Sequence, residues 1–132
     1  MLMTAFRTKS RAAILAVALV GVFLLGNPGL EAHEFTANST ISIHYVDGKF
    51  QGRVRSSRPR CEKRLVKVFK ARPDRPDIFI GQDRTNDNGR YRIPKPPRIK
   101  GKFYARARKK IGGRYGHFHR CRRALSRIIE AP

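Results

Sequence analysis

The chain has 132 residues, with 30 Lys and Arg against 9 Asp and Glu, a formal net charge of +21, two cysteines and no tryptophan. That length holds one small domain with a modest core. The charge disfavours a bound cation and attracts polyanions; it speaks of partners and solubility, not of fold.

The first element is a leader. Arg7, Lys9 and Arg11 precede an apolar run from Ala12 to Leu25, and Asn27, Pro28 and Gly29 then lead to a small residue at Ala32. A basic start, an apolar run shorter than the roughly 20 residues of a membrane span, and a small-residue end are the marks of a secretory signal peptide. The expectation is a signal peptide over residues 1–32, an extracytoplasmic or secreted mature chain and no membrane span after cleavage. Residues 33–39 show no pattern and are expected to form a flexible leader. Asn38-Ser39-Thr40 has the form of a glycosylation sequon.

From residue 40 onward the period is two. Ile41, Ile43 and Tyr45 alternate with Ser42 and His44; Phe50, Gly52 and Val54 alternate with Gln51, Arg53 and Arg55. "RLVKVFK" is apolar on both faces, as in a central strand, and "DIFIGQ" follows two prolines. Tyr91 and Ile93 alternate with Arg90 and Arg92; Phe103, Ala105 and Ala107 alternate with Tyr104, Arg106 and Arg108. "RYGHFHRC" and "ALSRIIE" end the chain, the latter fitting a strand or a helical turn. Turn chemistry separates the runs: Asp47-Gly48, "SSRPR", "ARPDRPD", "NDNG", "PKPPRIKG" and "GGR". No helix of ordinary length follows residue 32. The pattern predicts an all-β fold, an antiparallel β-sandwich over residues 40–130 with seven or eight strands.

The segment "QDRTNDNGRYRI", residues 82–93, has three readings. As a calcium loop starting at Asp83 it puts Asn88 where the sharp-turn glycine belongs and Pro94 where the bidentate Glu belongs, so it fails. As a catalytic carboxylate pair, Asp83 and Asp87 have no His, Cys or reactive Lys at a useful spacing. As a hairpin turn, Asn88-Gly89 tolerates positive φ while Asn86 and Asp87 hydrogen-bond the turn backbone. The hairpin is the reading adopted.

With the turn at Thr85, Gly89 and Tyr91, the strand "GRVRS" before Cys61, the strand "RLVKVF" after it and "GKFYA" from Gly101 to Ala105, the stretch from Phe50 to Ala107 resembles a transthyretin-like β-sandwich of the carboxypeptidase-regulatory type. The arrangement of Cys61 and Cys121 is similar to that of secreted bacterial proteins of unknown function bearing such a domain. The resemblance implies a sandwich fold and an accessory, binding or structural role, with no catalytic residue to carry over.

Cys61 and Cys121 form an even pair in an exported chain, which predicts a disulfide; neither has a second cysteine at zinc-site spacing. Arg106, Arg108, Lys109 and Lys110 make one dense basic stretch, and Arg120, Arg122 and Arg123 another. Joined by a turn at Ile111–Arg114, which adds Arg114 to the set, the two form one basic patch. Phosphate-type contact by these residues predicts binding to anionic envelope polymers, lipid headgroups or nucleic acid, with a solvated coat as the bland reading. Tyr104 and Tyr115 lie near enough in sequence to stack on bases. A second function rests on His117 and His119, which an H-x-H spacing places on one strand face, and on His33. If cleavage follows Ala32, His33 offers an amine and an imidazole to copper. No catalytic motif, no enzyme activity and no other cofactor is expected.

Overall fold

A computed structural model describes residues 33–57, 61–114 and 117–132, with only the backbone considered at residues 33, 34 and 114. The signal peptide expected over residues 1–32, the last three residues of the "SSRPR" turn and Tyr115 lie outside the described residues. The strands are β1 (His33–Ala37), β2 (Ser39–Ile41), β3 (His44–Val46), β4 (Lys49–Ser56), β5 (Leu65–Lys70), β6 (Ile78–Arg84), β7 (Arg90–Pro94), β8 (Gly101–Ala107), β9 (Lys110–Arg114), β10 (His117–Cys121), β11 (Ala124–Leu125) and β12 (Ile129–Ala131). Among the described residues no helix is long and apolar enough to cross a membrane.

Three sheets result. One runs β11-β8-β5-β6, with β12 also on β8; a second has β4 flanked by β2 and β3 on one side and β7 on the other; the third is β1-β10-β9. The first two face each other. Val66, Val68, Phe103, Ala105 and Ala107 from one sheet and Ile41, Phe50, Val54, Tyr91 and Ile93 from the other fill a single core. Phe50 and Phe103 meet across it with ring centroids 4.8 Å apart. Each of these large side chains contributes on the order of 2 kcal/mol by leaving water. The fold is all-β and sandwich-like, as the alternation predicts.

Among the described residues twelve segments stand where seven or eight were expected. Part of the excess is interruption: β2 and β3 pair with the two halves of β4, and β11 and β12 with the two ends of β8. The break after Ile41 comes from side chains taking over ladder positions, since Ser42 Oγ accepts the Arg53 N–H at 2.9 Å. Ser126 Oγ likewise accepts the Ala105 N–H at 2.8 Å. The rest is the third sheet, which recruits residues expected to be irregular. Residues 33–37 are a strand and not a flexible leader: β1 pairs in parallel with β10, Ala37 opposite Cys121. Ile111–Arg114 is not a turn but most of β9, antiparallel to β10 with Lys110 opposite Cys121.

Asp47-Gly48 makes the two-residue hairpin between β3 and β4, with φ of 50° and 76°, the combination a type I′ turn needs. The segment of residues 82–93 is different. Its turn chemistry holds, because Asn86 Oδ1 accepts the N–H groups of Asn88 (3.0 Å) and Arg90 (2.9 Å). It is not a hairpin, however: β6 pairs with β5 and β7 with β4, so the chain crosses from one sheet to the other. Asp83 is the bracket across that edge. Its carboxylate accepts the N–H of Arg84 and, through Oδ2 at 2.8 Å, that of Arg92.

Cys61 and Cys121 are joined by a disulfide that closes a sequence separation of 60. The bridge sits with Ala37 in a small second core, under the third sheet.

Candidate polyanion-binding surface

The basic end is organised by a residue that carries charge inward. Arg64 precedes β5 and is 1% exposed. Its guanidinium has five N–H donors, and all five find oxygen. Nε and Nη2 donate to the Arg108 carbonyl at 3.0 and 2.8 Å, and Nη2 also to the Arg122 carbonyl at 2.6 Å. Nη1 donates to Ser39 Oγ at 2.8 Å and Ser56 Oγ at 3.4 Å. Thr85, also buried, completes the seat: its Oγ1 accepts the Arg64 N–H at 2.7 Å. Burial lowers the Arg64 pKa, but a guanidinium remains charged in a protein. One buried cation thus fixes the backbone after β8 and before β11, the two places from which basic side chains project.

Those side chains converge. Arg106, Arg108, Lys109 and Arg123 line a cleft of about 440 Å³ together with Lys67 of β5. Among the described residues no carboxylate lines it. A neighbouring hollow of about 390 Å³ adds Lys63, Arg84 and Lys110 to Arg108 and Lys109. Aromatic rings on the same sheet face hold two of the cations. Tyr104, Phe69 and Phe79 form a row across β8, β5 and β6, with Phe69 centroids 5.6 Å from Tyr104 and 5.9 Å from Phe79. The Arg106 guanidinium lies 4.6 Å over Phe69, and Lys67 Nζ 5.7 Å from Phe79. Such cation–π contacts restrict long side chains that would otherwise sample many rotamers. At the far end of the row Tyr104 Oη donates to Asp77. That bond, followed by one from the Arg72 N–H, holds the Asp77 carboxyl below its ordinary value; burial, then Asp77 itself, pushes the Tyr104 phenol up.

Of the basic residues expected in the patch, Arg106, Arg108, Lys109 and Arg123 share the cleft and Lys110 the adjoining hollow. The Lys110 ammonium donates to the Glu62 carbonyl. Arg122 and Arg120 are exposed and line neither hollow; Arg122 contributes its carbonyl to the Arg64 seat. Arg114 ends β9. Sequence reading missed Lys67, whose alternation with Val66 and Val68 puts it on the outer face. It also missed Arg64, for which no periodicity gives a signal.

A second basic surface covers the other sheet. Arg53 and Arg55 of β4 and Arg90 and Arg92 of β7 are exposed, between buried Val54, Tyr91 and Ile93. With Arg84 they line a cleft of about 740 Å³ whose one carboxylate, Asp83, is engaged by two backbone N–H groups. Arg53 and Arg90 are direct cross-strand partners, a like-charge placement that costs stability. Arg53 Nε is held by the Asn88 carbonyl at 2.8 Å.

The histidines lie on the third sheet. The register sets His33 opposite His117 and Phe35 opposite His119, so the backbone brings together two of the three residues of the copper reading. His119 is half-buried, stacked on Phe35 at 5.7 Å, and its Nδ1 is buried without a hydrogen-bond partner. Among the described residues no group of three His, Cys, Asp or Glu side chains is placed to hold a metal.

No protein-family model, curated protein or solved structure matches the chain.

Proposed function

We propose that this is a non-enzymatic, exported β-sandwich module of transthyretin-like type that binds anionic polymers through its basic sheet faces. The class of ligand spans envelope polyanions, anionic headgroup surfaces and nucleic acid. The observation that carries the reading is the carboxylate-free cleft in which Lys67, Arg106, Arg108, Lys109 and Arg123 meet. Five cations of one sign around one hollow repel each other, and a polyanion relieves that repulsion while releasing its own counterions. The disulfide supports an oxidising, extracytoplasmic setting.

A salt titration tests this. On immobilised polyanion the oxidised chain is retained at low salt, and log K falls linearly with log salt; about five phosphate contacts on duplex DNA give a slope near −4 to −5. Replacing Arg108, Lys109 and Arg123 together by Gln flattens that slope by about three. No retention on any polyanion at low salt overturns the reading.

A second reading, copper binding through His33, His117 and His119, is favoured by the register of β1 on β10. It predicts uptake of copper by a chain beginning at His33, lost on His119→Ala; uptake unchanged by that substitution removes it.

A further inference from the structure

The two basic surfaces touch at Arg84, which lines both the second cleft and the hollow beside the first, but their other cations lie on opposite sides of the sandwich. Lys67, Arg106 and Arg108 alternate with Val66, Val68, Ala105 and Ala107, which face the core; Arg53, Arg55, Arg90 and Arg92 alternate with Val54, Tyr91 and Ile93, which face the same core from the opposite side. Side chains that alternate with the inner faces of a two-sheet sandwich point away from each other, with the full thickness of two sheets packed about 10 Å apart between them. One stretch of a stiff polymer lying on the first face cannot also lie on the second.

Resting on the proposed polyanion binding, we infer that the domain is bivalent and bridges two duplex DNA segments, one on each face of the sandwich. The second face is the reason for naming a phosphate polymer. All five cations of its cleft are arginines, whose planar fork matches phosphate bidentately where lysine offers a point charge. Arg53 and Arg90 stand directly opposite each other, and a phosphate between them converts a repulsion into two attractions. Duplex DNA carries one negative charge per roughly 1.7 Å of axis, several times denser than arginines that recur about every 7 Å along each of two adjacent strands, so every arginine on the face has a phosphate within reach. The cations stand on the faces of β-strands, and no described helix is available to enter a groove. The contact inferred is with phosphates, which carry no sequence information.

The experiment uses the full oxidised chain and two duplexes of unrelated sequence, one tethered to beads and one fluorescent and free. The protein is expected to carry the free duplex onto the beads at low salt, and to release it as salt rises. Arg55→Gln/Arg90→Gln/Arg92→Gln on one face and Arg108→Gln/Lys109→Gln/Arg123→Gln on the other alter exposed side chains only. Each triple variant is expected to bind one duplex with its salt slope lowered by about three, while bridging falls at least tenfold. Thermal melting of each variant within a few degrees of the parent establishes that the loss is not unfolding. Wild-type protein that binds duplex without bridging overturns the bivalent reading and leaves polyanion binding standing, whereas no binding at all overturns both. Bridging retained in both triple variants, or equal bridging of a carboxylate polysaccharide in place of DNA, also overturns it.

Discussion

Arg64 grips the carbonyl oxygen of Arg108 with two donors at once, Nε at 3.0 Å and Nη2 at 2.8 Å. A cation that is 1% exposed thus sets the backbone position of one that lines the basic cleft. Lysine in its place brings three donors instead of five and no planar fork. Arg64→Lys is expected to lower unfolding stability by about 2 kcal/mol, because the Arg108 and Arg122 carbonyls lose charge-assisted bonds in a buried seat. Urea unfolding measures it, and a midpoint unchanged from the parent would falsify the clamp.

Tyr91 crosses the core edge to donate to the Ser42 carbonyl at 2.6 Å, and burial pushes its phenol well above the ordinary value. A raised folded pKa makes a contribution that is complete below the ordinary tyrosine value near 10 and is lost as pH climbs beyond it, where the unfolded phenol ionises and the folded one does not. Tyr91 is expected to ionise only when the fold opens. Absorbance titration at alkaline pH, followed alongside circular dichroism, reads this directly. Tyr91→Phe is expected to cost about 1 kcal/mol at neutral pH for the lost bond and to remove one late-titrating group.

The disulfide between Cys61 and Cys121 spans 60 residues. In the chain-entropy account that closure is worth about 4 kcal/mol, a large share of the roughly 5–15 kcal/mol by which such domains are stable. The Cys61→Ser/Cys121→Ser chain is expected to unfold at markedly lower urea, or to be unfolded at 37 °C. Retention of the parental midpoint would contradict this.

Gly52 is required for a different reason. A Cβ there falls 2.0 Å from the Ser42 carbonyl oxygen and 2.9 Å from Tyr91 Oη. The backbones of β4 and the β2–β3 junction approach more closely than any side chain allows. Gly52→Ala is expected to cost at least about 2 kcal/mol and to release the Tyr91 bond. The same titration then shows Tyr91 ionising before the fold opens.

Strand identity was legible because alternation is a local signal: the partners of Phe50, Val54, Tyr91, Ile93, Phe103 and Ala105 follow from period two alone. Pairing was not. Asn86 and Gly89 signal a tight turn, yet whether β6 and β7 then zip together depends on distant strands, β5 and β4, that claim them first. Residues 33–37 carry no alternation that a single-sequence reading catches, since their pairing is parallel and anchored by the nearby disulfide. Four cations of the cleft were foreseeable from density along the chain. Lys67 and Arg64 were not, because each is an isolated charge whose meaning comes from the neighbours that folding supplies.

The bulge in β6, where Ile80 is the extra residue between Phe79 and Gly81, bears on how copies of the protein behave in concentrated solution. β6 ends its sheet, and Phe79 on it is 51% exposed. Its outer edge is an adhesive border that the bulge only partly disrupts. Mutual repulsion between molecules of net charge +21 is the other guard, and it acts only as far as the screening length, about 10 Å at 0.1 M salt and 3 Å at 1 M. The basic coat therefore serves as a colloidal stabiliser. Strong salt brings unshielded β6 borders within reach of each other, so light scattering should rise with ionic strength and fall again when Phe79 is replaced by Lys.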